Sequence, residues 1–236
     1  METTTTYQGK KQETHDSYSF YFAKPAGFDY AAGQFMFITI PHQADERGIK
    51  RHFSLSSAPT ESNLMITTKI TDSGSSYKQA LLNLPEGTEL AIRGPHGEFT
   101  LPADESQAVV FLGGGIGITP FRSMIKLAAD KGSPRPITLL YANKTPGDII
   151  YKSEFDGWAQ ANQNFKVAYA VDTPTPDWGG EVGHLTADLI KKYVPDTKQT
   201  LYYICGPAGM IEAYTNVLTE LGLDGDHIVT EDFSGY

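Results

Sequence analysis

The 236-residue sequence contains one cysteine, Cys205. A single thiol excludes an internal disulfide framework and an iron–sulfur cluster held by cysteines. The sequence also has no run of about 18 apolar residues, so it predicts no membrane span. Its polar start, METTTTYQGKKQET, lacks the apolar segment of a secretory signal. We therefore expect a cytoplasmic protein, and no pattern predicts a metal site.

Positive charge is scarce, with 19 Lys and Arg against 28 Asp and Glu and a net charge of −9. This balance argues against a general nucleic-acid binder, which needs clustered Lys and Arg for phosphate contacts. A local basic patch could still dock a protein partner. The hydrophobic fraction of 40% is enough for a substantial core.

Short strand-like runs separated by turn residues fill the first part of the chain. They are YSFYF (18–22), QFMFITI (34–40), HFSLSS (52–57), NLMITTKI (63–70) and ELAIRG (89–94). Several short strands at this spacing favour an antiparallel barrel or sandwich. The segment SYKQALLNL (76–84) predicts one short helix, with serines placed to cap it.

Beyond LPADESQ (101–107) the pattern alternates strand and helix, which predicts a parallel, doubly wound sheet. Strands are predicted at 108–113, 136–142, 165–171, 201–206 and 227–231, and helices at 120–131, 151–161, 185–193 and 208–221. The helix at 120–131 would bury one face. That face consists of Phe121, Met124, Ile125 and Ala128. Thr119 is expected to cap this helix and Pro120 to take its first position.

The segment FLGGGIGITPF (111–121) places four glycines between a strand and a helix. Free N–H groups at such a turn attract an anion, and glycines let a pyrophosphate approach the backbone. The G-x-G-x-x-G pattern is not met, because Ile118 takes the third position, and no acid stands in YANK after the second strand. A dinucleotide turn of another kind and a tight structural turn both remain open.

The segment RHFSLSSAP would place Arg51 and Phe53 on one face of a strand and Ser54 on the other. An Arg fork suits phosphate, an aromatic ring can cover a flat ring, and a hydroxyl can bond a heteroatom. An ordinary strand with a surface arginine is the alternative.

The succession RHFSLSS, DSGSSYKQAL, GPHGEF, GGGIGITP, CGPAGM and a terminal EDF resembles the ferredoxin–NADP reductase superfamily over nearly the whole chain. The resemblance implies a six-stranded antiparallel flavin-binding barrel at 1–104. A five-stranded parallel, doubly wound NAD(P)H-binding domain would follow at 105–236. The implied cofactors are FAD and either NADH or NADPH.

The same resemblance implies roles for individual residues. Implied FAD-binding residues are Arg51, His52, Phe53, Ser54, Thr67, Thr68, Lys69, Gly74, Ser75 and Ser76, with Phe233 or Tyr236 stacking on the flavin. Implied nicotinamide-nucleotide residues are Gly113, Gly114, Gly115, Ile116, Gly117, Thr119, Cys205, Gly206 and Pro207. The implied catalytic residues are Ser54 beside flavin N5, Cys205 beside the nicotinamide, and Glu231 near both rings. A plain helix cap at 74–76 and a buried core thiol at Cys205 are the alternatives.

The implied activity is hydride transfer from NAD(P)H to bound FAD, followed by release of single electrons to a separate acceptor. That acceptor would be a ferredoxin, flavodoxin, haem protein or oxygenase. NADH is slightly favoured, since YANKTPGDIIYKSEF resembles the NADH-using cytochrome reductases, although Lys144 could meet a 2′-phosphate. The acidic chain disfavours an acidic ferredoxin unless a local patch compensates. A reductase of free flavin and a non-catalytic flavin- or nucleotide-binding module are the alternatives.

Overall fold

The computed structural model describes residues 1–71 and 74–233, so Tyr236 lies outside the described residues. The first sheet has six antiparallel strands in the order β4-β3-β6-β1-β2-β5. These are β1 (Glu2–Gln12), β2 (Ser17–Ala23), β3 (Phe35–Thr39), β4 (Lys50–Ser54), β5 (Asn63–Lys69) and β6 (Glu89–His96), and helix α1 (Ser76–Leu82) lies between β5 and β6. The predicted six-stranded antiparallel domain is confirmed.

The first sheet curls so that its edge strands β4 and β5 come together at one end. There the Ser56 amide, just beyond β4, donates to the Met65 carbonyl of β5 at 2.7 Å. Helix α1 packs against the enclosed core through Tyr77 and Leu81, which are fully buried. The Tyr77 hydroxyl also donates to the Ile38 carbonyl at 3.0 Å.

Strand β1 was not among the segments that the residue pattern predicted as strands. Its burial alternates, with Thr5 and Tyr7 inside and Thr4 and Thr6 exposed. Threonine is β-branched and favours extended backbone, so a threonine tract suits a strand of this kind even though it is polar. The two-residue alternation was not recognised in the sequence because the strand is mostly polar and only Thr5 and Tyr7 show which side is buried.

The second sheet is parallel, with the order β10-β9-β8-β7-β11-β12. Its strands are β7 (Ala108–Gly114), β8 (Ile137–Asn143), β9 (Phe165–Val171), β10 (Glu181–Val182), β11 (Thr200–Gly206) and β12 (Ile228–Asp232). The sheet therefore has six strands among the described residues, and the predicted number of five is wrong. The extra strand, β10, has only two residues and pairs with the end of β9, so it leaves almost no periodic signal.

Four helices cover the two faces of this sheet, as a doubly wound fold requires. They are α2 (Ile118–Lys131), α3 (Lys152–Ala161), α4 (Ala187–Tyr193) and α5 (Ala208–Glu220). Helices α2 and α3 pack on one face, and α4 and α5 pack on the other. The predicted buried face of the helix at 120–131 is confirmed for all four residues.

The expected cap at Thr119 is wrong. A 3₁₀ turn over Gly115–Gly117 runs directly into α2, so the helix begins at Ile118 and Gly117 is its cap residue. Thr119 already lies inside the first turn, where its hydroxyl donates to the Ile116 carbonyl at 3.2 Å. Pro120 then follows within the first turn rather than at its first position.

Helix α2 joins the two sheets through Arg122, whose side chain is 4% exposed. Its guanidinium pairs with Glu61 of the first domain at 3.0 Å and with Glu154 of α3 at 2.7 Å. It also donates to the Ser56 carbonyl at 2.8 Å, and Ser123 donates to the Ser57 carbonyl at 2.6 Å. These bonds hold α2 against the loop that follows β4.

The predicted domain boundary at residues 104 and 105 falls between β6 and β7 and stays a prediction. Within residues 1–71 and 74–233, no helix combines the length and the apolar character that crossing a membrane requires.

Candidate functional site

A cleft of about 740 Å³ opens at the carboxyl ends of the parallel strands. Strand β7 is the point at which the chain order reverses, with β8 on one side and β11 on the other. Ligands of open α/β sheets bind at this position. The cleft residues from the second domain include Gly114, Gly115, Ile116, Asn143, Lys144, Asp172, Pro207 and Met210, and those from the first domain are His15, Asp16 and Lys69.

Three of the glycines in the β7–α2 turn cannot easily be replaced by a larger residue, each for a different local reason. A Cβ on Gly114 would overlap the thioether sulfur of Met210, and a Cβ on Gly117 would overlap the backbone carbonyl of Cys205. Gly115 has φ +50, in the left-handed region that side chains rarely adopt. Gly113 would meet only ordinary contacts. The turn is therefore structural and, through Gly114 and Gly115, it also lines the cleft.

Ser54, Cys205 and Glu231 meet where the two domains join. Ser54 ends β4, while Cys205 and Glu231 lie side by side in the register of β11 and β12. The Ser54 side chain lies close enough to the Glu231 carboxyl group to lower its pKa. One carboxyl oxygen, Oε2, is buried and has no hydrogen-bond partner among the described residues. All three residues that the sequence predicts as catalytic thus share one site.

Burial shifts the ionisation of both acids in this cluster. It raises the pKa of Glu231 from 4.5 to about 7, and the nearby Ser54 side chain opposes that rise. Burial also raises the pKa of the Cys205 thiol, with further contributions from the nearby carboxylates of Glu231 and Asp232. The thiol is therefore protonated at neutral pH and is no nucleophile, because the thiolate is the reactive form.

We expect Glu231→Gln to flatten the pH dependence of stability. The folded chain keeps the Glu231 proton up to about pH 7, whereas the unfolded chain loses it near 4.5, so stability falls as the pH rises through this window. Glutamine cannot ionise, so the variant should match the wild type at pH 5 and exceed it at pH 8. Urea denaturation at both pH values measures this difference. The exposed-site variant Glu220→Gln should keep the wild-type pH dependence, and an unchanged slope in Glu231→Gln would contradict the assignment.

The predicted phosphate contacts converge on one carboxylate. Arg51 pairs with Asp45 at 3.3 Å and donates to carbonyls of the same loop at Gly48 and Lys50. The other Asp45 oxygen accepts from the Ser76 amide at 3.2 Å, at the start of α1. Ser75 caps that helix by accepting from the Lys78 amide, so the cap alternative also applies. Asp45 thus acts as an internal anion between Arg51 and Ser76.

The remaining predicted flavin residues lie in three environments. Phe53 is 3% exposed and packs on Tyr77 inside the first core, so its ring has little surface left for a ligand. His52 is exposed on the opposite face of β4. Thr67 is buried and hydrogen-bonded to Ser19 and to Tyr151 of the second domain, whereas Lys69 reaches the cleft and pairs with Asp16 at 3.2 Å.

The other predicted residues lie in the first domain or at the carboxyl ends of the parallel strands. Thr68 is fully buried in β5, and Gly74 packs closely over the Thr71 carbonyl. Gly206 lies under Met210, and its carbonyl accepts from the Phe233 amide at 3.1 Å. Phe233 packs against the same core as Cys205. These positions are compatible with a ring stacking near Cys205, a role that stays predicted.

Most of the cleft residues were not predicted as binding residues, and three of them bear on the chemistry. Asn143 ends β8, is 7% exposed, and both polar atoms of its side chain lack a hydrogen-bond partner among the described residues. A buried amide of this kind costs stability unless a ligand satisfies it. Asp172 follows β9. Met210 lies in the first turn of α5, with its side chain against the glycine turn. The available sequence signal was a polar residue at the end of YAN (141–143) and another directly after YAV (169–171).

Comparison with known proteins gives matches to both halves. The sequence model for "Oxidoreductase FAD-binding domain" matches residues 5–101, and that for "Oxidoreductase NAD-binding domain" matches residues 111–216. The glycine betaine monooxygenase reductase subunit of Chromohalobacter salexigens is 29% identical over 228 residues, covering 94% of this chain and 61% of that protein. The NADH-cytochrome b5 reductase-like protein of Arabidopsis thaliana is 35% identical over 136 residues, covering 57% of this chain and 42% of that protein. The chain thus spans between about two fifths and three fifths of the length of these relatives.

Solved structures share the fold over nearly the whole chain. The Amycolatopsis cytochrome P450 reductase GcoB superposes with a TM-score of 0.86 at 21% identity, covering 99% of this chain and 70% of that one. A ferredoxin NADP+ reductase from Neisseria gonorrhoeae with bound FAD and NADP superposes with a TM-score of 0.83 at 18% identity, covering 98% of both chains. At these identities the likeness supports the two-domain fold.

Proposed function

Because the chain belongs to the ferredoxin–NADP reductase superfamily and carries its FAD-binding and NAD-binding domains, we propose that it is a reductase component. It would take a hydride from NADH onto FAD and pass the two electrons singly to a separate acceptor protein. The observation that carries this proposal is the cluster at the domain junction. There Ser54 from the first domain lies near Glu231 from the second, beside Cys205.

The residues present fit both groups. Arg51 and the Ser76 amide already bind the Asp45 carboxylate, so they form an anion-binding pair suited to a diphosphate once Asp45 moves. Asn143 offers an unsatisfied amide to a nucleotide in the cleft. When bound, FAD supplies the chemistry that converts one two-electron hydride into two one-electron transfers.

The protein itself contributes an exchangeable proton on Glu231 and a junction between the domains from which water is excluded. With a pKa of about 7, Glu231 can keep or release a proton at its carboxyl group near neutral pH. The Ser54 hydroxyl beside it is 7% exposed and can donate to this carboxylate or to a ligand atom. The neutral thiol of Cys205 is fully buried and excludes water from the same point.

Preference for NADH is supported by the charge of the cleft. Asp148 and Asp172 both line it. Asp172 directly follows β9, and Asp148 lies in the segment that follows β8. A carboxylate accepts a hydrogen bond from a ribose hydroxyl and repels a 2′-phosphate. Lys144 also lines the cleft and is the group that would favour a phosphate. Because Lys69 is already paired with Asp16, the balance of Asp148 and Asp172 against Lys144 favours NADH.

The acceptor class is supported by the relatives. Their names describe a monooxygenase reductase subunit, a Na(+)-translocating NADH-quinone reductase and NADH-cytochrome b5 reductase 2, each a protein of which this chain matches only a part. A reductase acting on an electron-acceptor protein such as a ferredoxin or an oxygenase fits the first and the third of these names, while the second names a quinone. The cytoplasm remains the expected location.

A second candidate, reduction of free flavin, is favoured by Asp45. Because this carboxylate competes for Arg51 and Ser76, it would weaken retention of the FAD diphosphate. Such an enzyme would lose flavin on gel filtration, and its NADH turnover would rise with added free flavin. A protein that retains FAD through gel filtration excludes this candidate.

The proposed function is tested by anaerobic titration of the FAD-reconstituted protein with each nucleotide. We expect one equivalent of NADH to bleach the flavin absorbance, and NADPH to require a higher concentration because of Asp148 and Asp172. A chain that binds FAD but is not bleached by either nucleotide would be a non-catalytic module. A chain that takes up no FAD or FMN would overturn the proposal completely.

A further inference from the structure

Tyr151 has a backbone conformation that side chains rarely adopt. Among the described residues it is the one non-glycine position with a positive φ, at +61. It is the cap residue that precedes α3, and it is 5% exposed. Such a backbone persists only where the surroundings fix it, and it is typical of functional positions. Glycine would adopt it without strain, so contacts of the tyrosine side chain must offset the strain here.

The Tyr151 hydroxyl ends a chain of buried hydroxyl groups that crosses from the second domain to the first. It is bonded to Thr67 of β5, and Thr67 is bonded at 2.8 Å to Ser19, its register partner in β2. Ser19 donates its one proton to Glu13 at 2.8 Å, and Lys11 pairs with the same carboxylate. Since a hydroxyl has one proton to donate, Thr67 donates to Ser19 and Tyr151 donates to Thr67. Burial raises the pKa of Tyr151 to about 12, so this proton is present at neutral pH.

Strand β5 also meets the glycine turn of the second domain, residues 113–117. Lys69 follows Thr67 by two residues, so both side chains project from one face of the strand. A Cβ added to Gly115 would lie 4.0 Å from the Cε atom of Lys69, and both residues line the cleft. Tyr151 and the glycine turn, two separate parts of the second domain, thus contact the same face of β5.

A second buried tyrosine connects the segment before Tyr151 to the glycine turn. The Tyr141 hydroxyl donates to the Gly115 carbonyl at 2.8 Å. Burial raises the pKa of Tyr141, and the nearby amide of Ile150 opposes that rise. Tyr141 and Ile150 are fully buried, and close-packed interiors transmit small displacements. A shift of Tyr151, the next residue along the chain, would therefore reach the turn.

The position of Ser54 depends on β5 as well. The Met65 carbonyl of β5 accepts from the Ser56 amide at 2.7 Å, two residues beyond Ser54. One strand therefore supports both the Ser54 end of the catalytic cluster and the glycine turn. Transfer between two bound groups requires reacting atoms about 3–3.5 Å apart, so a small shift of the turn against β5 would affect the reaction.

We propose that Tyr151 is a positioning residue: its bond to Thr67 fixes the glycine turn against β5, and so fixes where a nicotinamide nucleotide held by the turn lies relative to Ser54. The inference rests on the proposed function, which supplies the nucleotide and the flavin. A misplacement of about 1 Å, caused far from the reacting atoms, can slow a reaction about a hundredfold. Tyr151 is not one of the described residues that line the cleft, so its hydroxyl affects position and not binding.

Tyr151→Phe tests this role, because phenylalanine keeps the ring and loses only the hydroxyl. In the FAD-reconstituted protein we expect the rate of flavin reduction at saturating NADH, by anaerobic stopped-flow absorbance, to fall about tenfold. The Kd for NADH from the same data should stay within about twofold of wild type. In the flavin-free protein, hydrogen exchange of the Gly115–Gly117 amides should be about threefold faster. Thr67→Val should give the same changes, and the double variant should be no slower than either single variant.

The matched control is Tyr203→Phe. The Tyr203 hydroxyl donates to the Thr100 carbonyl at 2.9 Å, so it also joins a strand of the second domain to the segment that follows β6. Its loss should lower stability in urea but leave the rate of flavin reduction and the exchange of the turn within about twofold of wild type. Equal slowing by Tyr151→Phe and Tyr203→Phe would overturn the proposal, because it would show a general loosening of the junction. A wild-type rate in Tyr151→Phe, or a raised Kd for NADH that accounts for the whole loss, would overturn it too.

The two proposals fail in different ways. A wild-type flavin that NADH does not bleach would contradict the proposed function, and hydrogen exchange in the flavin-free variants would still decide whether Tyr151 holds the turn. Unchanged exchange at Gly115–Gly117 in both Tyr151→Phe and Thr67→Val would overturn the inference whatever the activity. Faster exchange in these two variants, absent from Tyr203→Phe, supports it.

Discussion

Gly117→Ala is expected to lower the free energy of unfolding by about 3 kcal/mol or more, at the upper end of the cost of overpacking a core. The backbone at Gly117 has φ −63 and ψ −2, which any residue adopts, so conformational strain is not the cause. The cause is steric. An added Cβ would overlap the Cys205 carbonyl oxygen and lie 2.6 Å from its carbonyl carbon. That carbonyl belongs to β11, so relief requires moving the strand that carries the cluster.

Gly114→Ala is the matched control for this prediction. The atom in its way is the sulfur of Met210, at the far end of a flexible side chain that can change rotamer. We expect a cost below about 1 kcal/mol for this change, together with weaker NADH binding because Met210 would be pushed into the cleft. Urea denaturation and an NADH titration measure the two effects. Equal stability of the two variants would show that β11 leaves room for a methyl group at Gly117, which would contradict the steric explanation.

The glycine turn shows how far sequence reasoning could reach. Strand, turn and helix were all read from FLGGGIGITPF, together with its place at the carboxyl end of a parallel strand. The pattern could not tell a backbone that approaches a ligand from one that approaches its own sheet. The structure assigns Gly117 to the second case, because its neighbour is Cys205, a residue remote in sequence.

The parts of the fold that were missed have weak periodicity. Strand β1 is mostly polar and has one large buried side chain, Tyr7, and β10 is two residues long, so neither gives a hydrophobic period. The predicted cap at Thr119 failed because the 3₁₀ turn that precedes α2 depends on the close contact at Gly117. Long, buried strands such as β7 and β9 were predicted to within one residue at each end.

The candidate site was predicted mainly through the family resemblance. It assigned Ser54, Cys205 and Glu231, which single-residue reasoning could not connect, because they come from three strands in two domains. The Asp45 contact to Arg51 could not be predicted, since it depends on how the loop between β3 and β4 folds back. Asp172 illustrates a general signal: a carboxylate directly after a buried parallel strand lies at the ligand-binding edge.

Arg122→Ala is expected to lower the free energy of unfolding by about 3–5 kcal/mol, the usual cost of removing one partner from a buried ion pair. Burial acts to lower the pKa of Arg122, but hydrogen bonds to Glu154 and Glu61 outweigh it and raise the pKa, so the side chain is charged at every working pH. Without it, two carboxylates from different domains face each other and the Ser56 carbonyl loses its donor. For a chain of this size the loss corresponds to a fall in Tm of roughly 6–20 °C.

The control for Arg122→Ala lies one turn further along the same helix. Among the described residues Lys126 forms one ion pair, with Asp130 near the surface, so Lys126→Ala should cost less than about 0.5 kcal/mol. Arg122→Lys should fall between the two, because an ammonium keeps the charge but cannot serve both carboxylates with a planar fork. Since Ser56 is two residues beyond Ser54, Arg122→Ala should also slow flavin reduction by NADH in the folded fraction, measured by stopped-flow absorbance. A variant as stable as Lys126→Ala would mean that the packed aromatic rings around α2, rather than this ion network, hold the two domains in register.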